Sequence, residues 1–130
     1  MKKVMVFGSF DILHPGHLDF FKQAKRYGDY LVVVVARDLT IKKLKGKLPS
    51  FNEKRRLAKI EVTGIADKVI PGKLKDYYKV IKEQKPAIIC LGYDQKYFVA
   101  DLKKKFQDLK IVRLKSYKPE IYKSSKIRNK

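Results

Sequence analysis

Val4-Met5-Val6-Phe7-Gly8-Ser9-Phe10-Asp11-Ile12-Leu13-His14-Pro15-Gly16-His17 decides how this chain is read. Its first four residues are apolar and rich in strand formers, and Gly8 breaks them into a short loop that ends in two histidines. Beyond them Leu18, Phe21 and Ala24 recur at helical spacing, with Phe20 flanking and Gly28 as a stop after Tyr27. The stretch predicts strand, tight loop and helix, with His14 and His17 at or just before the helix N-terminus. Unpaired backbone N–H groups and the positive end of the helix dipole favour an anion there, and two imidazoles add donors aimed at phosphate oxygens. A triphosphate suits that environment. Zinc does not, because it needs three or four ligands and the chain holds only these two histidines and one cysteine, Cys90, inside an apolar run.

Outward from this stretch the pattern repeats. Tyr30 to Ala36 is continuously apolar and β-branched, as expected of a central parallel strand covered on both faces. Leu39 to Pro49 is basic, carries Gly46 and Pro49, and reads as a loop with one helical turn. Ser50 and Glu53 have the spacing of a capping box ahead of a helix running to Val62 and stopped by Thr63-Gly64. Lys68 to Ile70, Ala87 to Leu91 and Lys110 to Leu114 read as further strands. Helices are expected from Asp76 to Pro86, from about Tyr97 to Phe106, and from Ser124. The alternation predicts an α/β architecture with a parallel sheet, whose ligands collect beyond the carboxyl ends of the strands. Those ends are the loops Gly8 to His17, Arg37 to Pro49, Pro71 to Lys75, Gly92 to Lys96 and Lys115 to Lys126.

The 130 residues suit one domain, large enough to bury roughly two-thirds of its unfolded surface without disulfides. A hydrophobic fraction of 45% excludes a disordered polycation. No run approaches the roughly 20 apolar residues of a membrane span, and the N-terminus lacks signal-peptide architecture, so a cytoplasmic protein without membrane contact is expected. The 32 Lys and Arg against 13 Asp and Glu leave a net charge of +19. That balance admits nonspecific polyanion binding, or a basic nucleic-acid-binding module without activity, but it equally draws in nucleotides and phosphorylated substrates.

The block from Gly8 to His17 resembles the GxFDxxHxGH signature of the cytidylyltransferase-like nucleotidyltransferases, and the resemblance extends from Val4 to Ile127. It implies one Rossmann-like nucleotidyltransferase domain over residues 1–130, with a roughly five-stranded parallel sheet flanked by helices on both faces. It also implies that His14 and His17 stabilise charge on the nucleotide α-phosphate during direct in-line attack by a second substrate, with pyrophosphate leaving. The family carries a functional lysine in the loop after the second strand, matched here to Lys42 or Lys45. Gly8, Ser9, Phe10 and Gly16 of the signature belong to the implied nucleotide site. So do Arg56, from an ExxR motif aligned on Glu53 to Arg56, Gly92 and Asp94 of a G-x-D segment, and the phosphate-binding Ser124 and Ser125. Asp11 is expected to orient the Mg²⁺-nucleotide or the second substrate.

Two branches of the family compete. Glycerol-3-phosphate cytidylyltransferases, which use CTP, carry a tryptophan segment and an RTxG element that are absent here. Val35 to Asp38, Lys45 to Lys47, Leu91 to Gln95 and the Ser124-Ser125-Lys126-Ile127 ending are similar to archaeal-type FAD synthases, which join FMN to AMP from ATP. That branch implies ATP and FMN as substrates, a divalent cation such as Mg²⁺, and often a homodimer. Phe10, Tyr93, Tyr97, Tyr117 and Tyr122 are the aromatics expected near the rim, where an isoalloxazine ring stacks.

Overall fold

The computed structural model describes residues 2–92, 95 and 99–115. Five strands, β1 (Lys3–Gly8), β2 (Tyr30–Val35), β3 (Lys68–Pro71), β4 (Ile88–Leu91) and β5 (Lys110–Arg113), alternate with helices α1 (Pro15–Lys25), α2 (Asp38–Lys45), α3 (Glu53–Thr63), α4 (Lys79–Gln84) and α5 (Val99–Lys105). All strands are parallel, in the order β3-β2-β1-β4-β5. This is an α/β Rossmann-like sheet, and its winding reverses between β1 and β4.

Successive residues of a strand face opposite sides, and the core divides accordingly. Val4, Val6, Leu31, Val33 and Val35 join Phe21 and Ala24 of α1 and Ile60 of α3 on one face. Met5, Val32, Val34, Ile89 and Leu91 join Val80 and Ile81 of α4 and Leu102 of α5 on the other. Residues Leu31 to Val35 are therefore all buried, which is why β2 reads as an unbroken apolar run.

Three local expectations change. The basic stretch after β2 forms the eight-residue α2 rather than a loop with one turn. Lysine is a good helix former, Thr40 and Ile41 anchor the helix inward, and Gly46 ends it with φ 83, a left-handed conformation that glycine adopts freely. The cap of α3 is Asn52, whose side chain accepts from the Arg55 N–H at 2.9 Å, so the Ser50–Glu53 capping box does not form. Asp76 accepts from the Tyr78 N–H at 3.1 Å in a turn, and α4 starts only at Lys79. The helix expected from Ser124 lies outside the described residues.

Candidate active site

His14 is the N-cap of α1: with φ −142 and ψ 171 its backbone is still extended, and its Nδ1 accepts the Gly16 N–H at 3.1 Å. Pro15 follows at the first helical position, where a missing N–H costs nothing. An accepting Nδ1 leaves the His14 proton on Nε2. The first turn then brings His17 against His14, the rings stacked 3.9 Å apart between centroids and 25° from parallel. His17 Nδ1 is enclosed and has no hydrogen-bond partner among the described residues. A proton there would be a buried, unsatisfied donor, so Nε2 carries it as well. Burial lowers the pKa of His14, and burial followed by the charge of His14 pushes that of His17 to about 3. The pair therefore offers two neutral N–H donors at a helix N-terminus at neutral pH.

Phe10 was expected at a nucleotide-facing rim, but it is 5% exposed and lies beneath His17, edge-on at 5.3 Å and 87°, with Phe21 at 5.1 Å. A φ of 48, unusual for a bulky residue, turns its ring inward. A Cβ on Gly8 would stand 2.6 Å from that ring, so this glycine makes room for Phe10 rather than for a ligand. Gly16 likewise gives its N–H to the cap. All three residues make contacts that set the histidines in place.

Asp11 and Arg56, two more expected site residues, are held by internal hydrogen bonds. Both carboxylate oxygens of Asp11 are engaged, Oδ2 by the Ser50 N–H at 2.7 Å and Oδ1 by the Phe51 N–H at 2.9 Å, and the residue is 5% exposed. Arg56 is 0% exposed. Its Nε donates to the Phe51 carbonyl at 2.9 Å, Nη1 to the Ser9 carbonyl at 2.8 Å and Nη2 to Asp38 Oδ1 at 2.6 Å. Together Asp11 and Arg56 form a clamp between the signature loop and the start of α3. Glu53 does not pair with Arg56; it lies 2.6 Å from Arg37 Nε and accepts the Asp38 N–H at 3.1 Å.

The cytidylyltransferase-like family matches residues 5–130. The chain belongs to that family. FAD synthase of Thermoplasma volcanium is 46% identical over 134 aligned positions, covering 100% of this chain and 94% of the relative. FAD synthase of Thermoplasma acidophilum is 43% identical with the same coverage. Among solved structures, a Thermoplasma volcanium protein described as a lipopolysaccharide core biosynthesis protein superposes with a TM-score of 0.83 at 47% identity, over 90% of this chain and 98% of the other. Pantoate-beta-alanine ligase of Francisella tularensis, 19% identical, covers 99% of this chain and 65% of its own with a TM-score of 0.68, a likeness of fold alone.

In this nucleotidyltransferase Lys42 and Lys45 are exposed in the last turn of α2, beyond the carboxyl end of β2, where cations also suit the helix dipole. Gly92 follows β4; its N–H donates to Gln95 Oε1 at 3.2 Å and its carbonyl accepts from Arg113 Nη1 at 2.7 Å. Gln95 and Arg113 were not singled out from the sequence, because nothing in a turn glutamine or a strand-end arginine marks its partner. Asp94, Tyr93, Tyr97, Tyr117, Tyr122, Ser124 and Ser125 lie outside the described residues. A cavity of ≈340 Å³ opens beside the signature loop, lined by Asp38, Leu48, Pro49, Ser50, Phe51, Asn52 and Arg55. Burial pushes the Cys90 thiol up to about 11, which removes it as a nucleophile.

No cluster of three or more His, Cys, Asp or Glu able to hold a metal occurs among the described residues, and Asp11 already serves two amides. No helix among the described residues is long and apolar enough to cross a membrane.

Proposed function

We propose that the protein transfers AMP from ATP to the phosphate of FMN, giving FAD and pyrophosphate. The observation that carries this is the identity of 46% and 43% to FAD synthases along the whole chain, in a molecule whose paired imidazoles stand at the start of the first helix. An FMN phosphate oxygen attacks the α-phosphorus of ATP, the new P–O bond forms in line as the bond to the β-phosphate oxygen breaks, and pyrophosphate departs. His14 and His17 donate from Nε2 to the α-phosphate oxygens as their charge grows. The positive end of the α1 dipole adds to the same field. Lys42 and Lys45 neutralise the phosphates from α2, and Gly92, Asp94, Ser124 and Ser125 are assigned to the nucleotide. A divalent cation enters as part of the ATP complex rather than as a resident metal.

The flavin ring is assigned to the cavity beside Phe51, whose loop Asp11 and Arg56 bind to the signature. A cytoplasmic homodimer belongs to the same reading. Incubation with Mg²⁺, FMN and ATP should yield a product with the mass of FAD and one equivalent of pyrophosphate. FAD absent while CTP and glycerol 3-phosphate give CDP-glycerol overturns the assignment. Salt-dependent nucleic-acid binding with no pyrophosphate from any pair identifies a binding module instead.

A further inference from the structure

β1 and β4 meet where the sheet reverses its winding, and they pair only at Val4 with Ile88 and Met5 with Ile89. Carried forward, that register sets Phe7 opposite Leu91. In a parallel ladder the Gly92 N–H would then donate directly to the Phe7 carbonyl, as the Ala36 N–H does to Gly8 and the Leu114 N–H to Leu91 at the ends of the neighbouring pairs. The bond is not made. In its place stands the Gln95 side chain: Oε1 accepts the Gly92 N–H at 3.2 Å, and Nε2 donates to the Phe7 carbonyl at 3.1 Å. One carboxamide satisfies both groups that the parting strands leave behind. A second hold comes from Arg113, whose Nη1 donates to the carbonyls of Gly92 and Gln95 at 2.7 and 3.0 Å.

We infer that Gln95 is a positioning residue that sets the width of the crevice between β1 and β4. Its two partners lie at the roots of the two loops that must cooperate. Phe7 leads directly into the Gly8–His17 loop with both imidazoles, and Gly92 opens the segment assigned to the nucleotide. The inserted amide keeps the strands one side-chain group apart, wide enough to admit a nucleotide, while leaving no buried backbone group unpaired. Length and polarity are both needed: a shorter side chain cannot span from Gly92 to Phe7, and an apolar one of equal length spans without bonding. The inference rests on the nucleotide reading of the site, and its effect should fall on ATP rather than on the acceptor.

The test is Gln95→Met, which keeps the length and removes both bonds. The KM for ATP should rise about tenfold or more, on the scale by which small misplacements act, while the KM for FMN stays within about twofold. Calorimetric titration with ATP and Mg²⁺ alone should show the same weakening. That arm separates this inference from the proposed reaction, because a wild-type protein that binds ATP but makes no FAD refutes the reaction only. In the wild-type protein the Gly92 amide, one residue beyond β4, should exchange its hydrogen slowly, and in the variant at least about tenfold faster. Unchanged ATP affinity in a folded Gln95→Met protein overturns the inference, as does a parallel rise in both KM values. Should the variant not fold, a Gly92 amide that exchanges freely in the wild-type protein overturns it alone.

Discussion

The two flanks of β1 are built on opposite plans. Toward β2 the ladder is complete, from Lys3 with Tyr30 to Gly8 with Val35, and beyond its end the signature loop is bound by Asp11 and Arg56 to Ser50, Phe51 and Asp38. Toward β4 the ladder stops after two pairs and a side-chain amide takes over. A cleft that must place two imidazoles accurately benefits from one immovable wall and one opening. The closed flank supplies the wall, through groups that sequence alone would assign to ligands.

The closed flank should break hardest. Arg56→Ala leaves the Ser9 and Phe51 carbonyls without their donor and Asp38 without its cation, inside a region with no access for water to Arg56. A loss of about 3 kcal/mol is expected, near the low end for a broken buried pair because Asp38 is partly exposed, and the melting temperature should fall by roughly 10 °C. Calorimetry checks this; a fall of less than about 3 °C places the guanidinium outside the load path of the wall. At the cleft itself His17→Ala should leave the fold intact and lower kcat at least about a hundredfold, the scale for removing one donor to developing charge. A loss below tenfold removes His17 from the reaction. Phe51→Ala should raise the KM for FMN by about three- to tenfold with that for ATP unchanged, since one aromatic face is worth roughly 1 kcal/mol. A rise confined to ATP would move the acceptor away from this cavity.

This contrast marks what could be read in advance. The strands were legible because each is a short apolar run bounded by glycine, proline or charge, and a sheet buried on both faces needs little else. The histidine cap was legible because proline and glycine punctuate it. The burial of Arg56 was not, since the ExxR motif marks it for the nucleotide and nothing local shows residues 9, 38 and 51 converging on it. Phe10 misled for the opposite reason. An aromatic in a polar loop suggests a rim, and only its left-handed backbone turns it into the core beneath His17. The gap between β1 and β4 depends on where a ladder stops, and strand periodicity carries no record of that. Nor did the lysines of α2 declare a helix, because local charge says little about a face defined by Thr40 and Ile41.

The last effect concerns protons at the histidine pair that follows β1. His17 is held to about 3 and His14 below its ordinary value, both chiefly by burial. Above the ordinary imidazole value near 6.5 both rings are neutral folded or unfolded, so histidine ionisation should put no step in kcat between about pH 7 and 8.5. Below it the states diverge: the unfolded chain takes up protons that folded His17 refuses, and linkage makes the folded form lose stability as pH falls from about 6.5 toward about 3. His17→Gln cannot take part in that uptake. Denaturant midpoints at pH 7 and pH 4.5 should therefore drop more in the wild-type protein than in the variant. Equal drops would mean that the ring accepts a proton in the folded state, and the cleft would then hold a cation where two neutral donors are described.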